Sequence, residues 1–248
     1  ARTRFALIDH VTSPTAIVLP IAAMVSQLQA RGVQVMVDGA HAPGMLAVDL
    51  DAIGAQWCTG NCHKWLCAPK GAAWLHVRRD LHQRTRPALT SLGENNPRKD
   101  RSLLHRRFDW AGTDDVTAIL SVPEALRFMA SLSPGGWPEI MAANHDLVCE
   151  GRRILMDIPG MEAAAPPSAL GSMATVLLPA LPALPASPWP LIAAPQAHLW
   201  QRHRIEVPFM TTPGQPGRWM LRISAQLYNT TNEYQILADA LSGLMAGV

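Results

Sequence analysis

One stretch, residues 35–77, narrows the choice of fold more than any other part of the chain. A β-type apolar run, Val35-Met36-Val37, ends on an acid, Asp38, and leads into the small-residue turn Gly39-Ala40-His41-Ala42-Pro43-Gly44. A short helical segment, Leu50 to Ala55, comes next, with Asp49 and Asp51 suited to capping or solvating it. A second β-like run around Gln56-Trp57-Cys58 follows, then a polar turn carrying Asn61, His63 and Lys64, and a third apolar run from Ala72 to Val77. Short strands alternating with helical segments predict an α/β domain built on a mostly parallel sheet with flanking helices.

In such sheets ligands sit beyond the carboxyl ends of the strands. Asp38 and Lys64 each fall just past a predicted strand end, so an acid and an amine face one small ligand from two neighbouring loops. Pyridoxal 5'-phosphate needs both groups: a lysine for its Schiff base, and a carboxylate to keep the pyridine nitrogen protonated. Only three lysines occur, Lys64, Lys70 and Lys99. That scarcity narrows the choice of a Schiff-base lysine; Lys70 follows a proline in a second turn, and Lys99 lies in the polar loop from Gly93 to Arg101. Taken singly, Asp38 reads as a turn or cap acid and His41 as a loop histidine.

The combination is more specific than its parts. Residues 38–44, then Thr59-Gly60-Asn61-Cys62-His63-Lys64-Trp65 and Ala68-Pro69-Lys70-Gly71, resemble the class V aminotransferases, which are fold type I pyridoxal-phosphate enzymes. Within that family the likeness points to the isopenicillin N epimerase-like branch, related to the cysteine desulfurases. The resemblance implies that Lys64 carries the cofactor and shuttles a proton at Cα, and that Asp38 holds the ring nitrogen. It also implies that His41 meets the ring hydroxyl and that His63 and Asn61 contact the phosphate. Asn61 stands where desulfurases have a serine. Ser13, or Thr12, stands where they have an asparagine beside the ring, and both residues also suit a helix-entry cap. Gly112-Thr113 matches a glycine–threonine pair whose hydroxyl reaches the phosphate in the partner subunit, which implies a homodimer with a shared active site. Thr113 also suits an N-cap. Arg222 matches the arginine that holds the substrate carboxylate, a role for a planar two-pronged donor.

The rest of the chain is consistent with this organisation. Phe5 to Ile8 reads as a strand and Ile17 to Arg31 as a helix, with Gly32 as its C-cap. Leu81 to Arg107 is a polar, arginine-rich connection and reads as a solvated surface loop. Val116 to Ser131 and Trp137 to Met156 are helical patterns separated by Pro134-Gly135-Gly136. Residues 163–196 are rich in Pro and Ala around one strand-like island, Met173 to Leu178. Leu199 to His203 reads as helix, Ile205 to Phe209 and Trp219 to Ile223 as strands, and Glu233 to Met245 as a closing helix. These elements divide the chain into residues 1–133, a C-terminal part of a large cofactor domain, and residues 134–248, a smaller α+β domain with its connecting helix. Family members are longer, so the chain reads as the C-terminal portion of one, lacking the N-terminal part of the cofactor domain.

Composition excludes several other classes. A net charge of +2 gives no footprint for nucleic acid. No apolar run reaches the roughly 18 residues of a membrane span. Cys58, Cys62 and Cys67 cluster without a zinc-site spacing and read as buried apolar cysteines, so no metal is assigned; four cysteines in 248 residues suit a reducing cytoplasm. The expected substrate is an amino acid or a peptide containing one. The expected reaction is epimerisation at Cα, with transamination or C–S/β-elimination as the rival chemistry and an inactive truncated product as the alternative of another kind. Residues 205–221 contain no cysteine, whereas desulfuration requires a nucleophilic one just upstream of Arg222.

Overall fold

A computed structural model describes residues 2–90, 92–95, 100–215 and 217–247. Arg98 and Lys99 lie outside the described residues. The chain forms two compact units, one of residues 1–10 and 20–132 and one of residues 11–19 and 133–248.

The first unit holds a four-stranded sheet in the order β1 (Phe5–Asp9), β2 (Gln34–Asp38), β3 (Trp57–Asn61), β4 (Ala73–Val77). The first three strands are parallel, and β4 runs antiparallel to β3. The reversal follows from the connection: residues 62–72 form turns with no helix, too little chain for a parallel crossover. Helix α1 (Ile21–Gln29) makes the crossover from β1 to β2, and α2 (Leu50–Ile53) that from β2 to β3. Ile21 and Val25, four residues apart on α1, pack with Val35 and Val37 of β2, Ile53, Ala55 and Cys58. Alternation along β2 buries Val35 and Val37 and leaves Asp38 half-exposed at the strand end.

Helix α1 starts four residues later than the periodicity suggests. Leu19 precedes Pro20 and is disfavoured in the helical region, and Val18 instead bridges to Val11. The helix ends as expected at Gly32 (φ +74°), where the amides of Gly32 and Val33 reach back to the carbonyls of Gln29 and Leu28. Asp49 caps α2 by accepting the Ala52 amide at 2.9 Å.

After β4 come α3 (Leu103–Phe108), α4 (Thr117–Leu120) and α5 (Val122–Ser131). The single helix expected over 116–131 is broken at Ser121, because Pro123 has no amide to continue the ladder and sits in the first turn of α5. The arginine-rich connection is also not wholly solvated. Arg107 is 4% exposed and pairs through both prongs with Glu94, at 2.8 and 2.9 Å, while also donating to the carbonyls of Gln83 and Thr85. Its fork lets one buried cation satisfy a carboxylate and two loop carbonyls.

The second unit packs α6 (Gly136–Met156), α7 (Ala194–His203) and α8 (Thr231–Ala246) with an antiparallel sheet. Its strand order is β5 (Glu162–Ala163), β6 (Met173–Leu177), β8 (Trp219–Ser224), β7 (Phe209–Thr211). Val148 and Leu155 of α6 meet Val176, Leu221 and Ile223 of the sheet and Leu237, Leu241 and Leu244 of α8, at helical spacing. β7 begins at Phe209, where the sequence suggests residues 205–209, because Pro208 cannot donate to the ladder. α7 begins at Ala194 rather than Leu199, with Pro195 in its first turn, where a missing amide costs nothing. Cys58 and Cys62 are buried and Cys67 is exposed, so the expectation of burial holds for two of the three.

Candidate functional site

Two clusters of polar side chains stand out, one in each unit. In the first unit the parallel strands β2 and β3 end side by side, with Asp38 paired to Thr59. Asp38 begins a turn in which its own Oδ1 accepts the Ala40 amide at 2.9 Å. The turn stays tight because Gly39 lies directly against β3: a Cβ there would sit 2.6 Å from the Thr59 carbonyl oxygen. Gly44 (φ +83°) then lays its backbone on that of Trp65, where a Cβ would come within 2.7 Å. These two approaches clamp the β2 turn onto the β3 turn.

The clamp brings His41 and Lys64 together. Lys64 Nζ lies 3.2 Å from His41 Nε2. The indole Nε1 of Trp65 donates to the other ring nitrogen, Nδ1 of His41, at 3.4 Å. His41 and Trp65 are both buried, at 8% and 9% exposure. His63 Nδ1 lies 3.0 Å from the Ala72 carbonyl, which accepts from it, so that nitrogen carries a proton. Asn61 is the last residue of β3, half-buried and paired in register with Ala73. His10, buried just past the end of β1, donates its amide to the Asp38 carbonyl at 2.8 Å, and burial lowers its imidazole pKa. Burial raises the thiols of Cys58, to about 11, and of Cys62, which keeps both protonated. Among the described residues no group of His, Cys, Asp or Glu is arranged to hold a metal ion. Thr113 is exposed in the segment 111–116. The α4 end is served instead by Asp115, whose Oδ1 accepts the Thr117 amide at 2.9 Å.

In the second unit Arg222 of β8 reaches the turn that contains Ser13. Its Nη1 donates to the Ser13 carbonyl at 2.6 Å and lies 3.2 Å from the Ser13 hydroxyl. Thr12 shapes the turn instead, since its Oγ1 bonds Thr15 at 2.6 Å and accepts the Ile17 amide at 2.9 Å. Thr175 Oγ1 donates to Pro14 O at 2.9 Å and ties the turn to β6. The Nε of Arg222 is buried with no partner among the described residues, and burial lowers the guanidinium pKa without removing its charge. A cavity of about 450 Å³ is lined by Arg222, Arg204, Glu206, Tyr228, Asn229 and Glu233.

The structure thus groups Asp38, His41, Asn61, His63 and Lys64 at one end of the first sheet, and Ser13 with Arg222 in the second unit. Trp65 and His10 were not legible as site residues. Trp65 carried no signal beyond its position next to Lys64, and His10 none beyond its place at a strand end.

Amine, carboxylate and imidazoles gather at the end of the sheet where α/β folds place their ligands. The model of the family described as Aminotransferase class-V matches residues 1–237, and the chain belongs to that family, whose members work with pyridoxal phosphate. Two relatives are isopenicillin N epimerases. The Streptomyces clavuligerus protein is 36% identical over 98% of this chain and 61% of its own length, and the Amycolatopsis lactamdurans protein is 35% identical over 98% and 60%. A probable chloroplastic L-cysteine desulfhydrase from Arabidopsis thaliana is 36% identical over 98% of this chain and 51% of its own length. The chain therefore spans between about half and about three-fifths of the length of these relatives. The fold matches a cysteine desulfurase from Thermococcus onnurineus with a TM-score of 0.77 at 18% identity, covering 99% of this chain and 60% of that one. Among the described residues no helix is long and apolar enough to cross a membrane.

Proposed function

We propose that the chain carries the lysine, ring-acid and carboxylate-binding half of a pyridoxal-phosphate enzyme that breaks the Cα–H bond of an amino acid. The observation that supports this reading best is the contact between Lys64 and His41 beside Asp38. A buried imidazole set against a lysine amine at the carboxyl end of a parallel sheet is a poor structural device, but it is a good way to prepare a nucleophile. The donor set fits the cofactor. Asp38 supplies the carboxylate for the ring nitrogen, His41 a ring nitrogen for the ring hydroxyl, and His63 and Asn61 polar groups for the phosphate. When bound, the cofactor supplies an electron sink for the carbanion left at Cα. Lys64 holds it and moves the Cα proton on one face, and Arg222 orients the substrate carboxylate. We assign Thr113 to the phosphate held by a second copy of the chain.

Epimerisation is our favoured reaction. It is supported by the two epimerase relatives that match 98% of the chain and by the lack of cysteine in residues 205–221. A second reading, β-elimination from a sulfur amino acid, is supported by the equally similar desulfhydrase. Two experiments test these readings. Borohydride reduction after incubation with pyridoxal phosphate, followed by peptide mapping, should place the pyridoxyl label on Lys64, and Lys64→Ala should lose it while Lys70→Ala and Lys99→Ala keep it. A label that survives in Lys64→Ala refutes the lysine assignment. Incubation with amino acids in deuterium oxide then separates the reactions: epimerisation exchanges the Cα proton and inverts the centre, whereas elimination releases sulfide.

A further inference from the structure

We propose that Trp65 is a positioning residue for Lys64, acting through His41: its indole N–H selects the one ring state of His41 that presents Lys64 with a donor and so holds Lys64 as a neutral amine. This rests on the reading of Lys64 as the cofactor lysine, which itself assigns Trp65 no role.

Donors and lone pairs decide the state of the ring. An indole N–H can only donate, so the contact from Trp65 Nε1 requires a lone pair on His41 Nδ1. A neutral imidazole has one donor nitrogen and one acceptor nitrogen, so its proton then sits on Nε2. The other two states of the ring, protonated at Nδ1 alone or at both nitrogens, would set N–H against N–H at Trp65. Nε2–H in turn points at Lys64 Nζ, 3.2 Å away. An ammonium group has three donors and no acceptor, so it cannot satisfy that N–H, whereas a neutral amine offers its lone pair. His41 and Trp65 are more than nine-tenths buried, so water does little to relieve a donor–donor clash. The titratable groups on the two turns are Asp38 and His41 on one, and Cys62, His63, Lys64, Cys67 and Lys70 on the other. Trp65 cannot change its own proton count near neutrality, and it can therefore dictate the state of the groups beside it. Once the amine uses its lone pair elsewhere, the same Nε2–H can donate to an oxygen.

The geometry explains why the tryptophan lies directly after the lysine. Trp65 meets His41 at the Nδ1 side while Lys64 meets it at the Nε2 side. Gly44 makes this possible by resting on the Trp65 backbone.

Two measurements on the chain as it stands test the proposal, and neither depends on catalysis. The first is nitrogen NMR of histidine-labelled protein near neutral pH, with the His41 signals assigned through His41→Gln. The wild type should show a lone pair at Nδ1 and a proton at Nε2, and Trp65→Phe, which keeps the apolar ring and deletes the N–H, should lose that preference. The second is trace acetylation at pH 7 with peptide mapping, which reads the reactivity of Lys64 against exposed Lys70 as an internal standard. Trp65→Phe should slow Lys64 about tenfold relative to Lys70, the scale on which one hydrogen bond biases a protonation equilibrium. A wild-type His41 protonated at Nδ1 would overturn the proposal even if the variant failed to fold, as would an unchanged Lys64-to-Lys70 ratio in a folded variant. Failure of the lysine assignment has a different signature: the pyridoxyl label would miss Lys64 while the tautomer and acetylation results stood.

Discussion

Replacing Gly39 with alanine tests whether close packing of β2 on β3 builds the site. A Cβ at residue 39 would sit 2.6 Å from the Thr59 carbonyl oxygen, which is backbone and cannot rotate away. That carbonyl also accepts the Gly39 amide at 2.8 Å, so the two strand ends must separate by several tenths of an ångström and weaken this bond. Overpacking of this kind costs about 1–3 kcal/mol. For a chain of this size each kcal/mol is worth about 2–4 °C, so Tm should fall by roughly 2–12 °C. The displacement also matters for chemistry. Site geometry tolerates only about 0.5 Å, and Thr59 leads directly into the turn that carries Lys64, so pyridoxyl labelling of Lys64 should fall about tenfold. Gly243→Ala is the control. It lies within α8 with nothing inside 4 Å of the new Cβ, so the same added methyl should stabilise by about 0.5–1 kcal/mol and leave labelling unchanged. Thermal melts by circular dichroism and reductive labelling measure both effects. Unchanged Tm and unchanged labelling in Gly39→Ala would refute the argument that this glycine sets the spacing of the site.

Other expectations follow from the same geometry. Arg222→Ala should raise KM for amino acids by more than about tenfold while leaving pyridoxal-phosphate binding within about twofold, and Arg222→Lys should recover little because a single ammonium cannot fork to two oxygens; an unchanged KM in steady-state assays would remove Arg222 from the site. His10 has a pKa lowered by burial, so its contribution to stability is complete above the unfolded value of about 6.5 and is lost as pH falls through the folded value. His10→Gln should therefore flatten the acid side of the stability–pH curve measured by urea melts, and an unchanged slope would show that the ring is not buried in solution. Arg107→Met should loosen the segment between β4 and α3, since it leaves the carbonyls of Gln83 and Thr85 without this donor and Glu94 with Arg86 in place of its buried two-pronged partner, and limited proteolysis should then cut within residues 83–95 before the sheet unfolds.

Much of the first unit was legible because its information is local. The β-type run ending on Asp38 and the turn bearing Lys64 depend on alternation and on turn residues, which act over a few positions. Gly32 was legible as a cap for the same reason. Proline effects are local too, yet at Pro20, Pro123 and Pro208 the apolar periodicity continues through the break and hides it. The direction of β4 depended on the connection before it forming no helix, which composition does not reveal.

The chain order of residues 35–77 was enough to specify strand ends carrying an acid and an amine, since strand period and turn chemistry are properties of neighbouring residues. Only the folded chain decided who meets whom. His41 and Lys64 are 23 residues apart, and they meet because Gly39 and Gly44 permit backbone contacts that no side chain would allow. Arg222 and Ser13 are 209 residues apart, and Arg107 finds Glu94 across a loop that reads as solvated. Contacts of this kind arise from packing between distant segments, where one missing Cβ or one buried donor outweighs local preference.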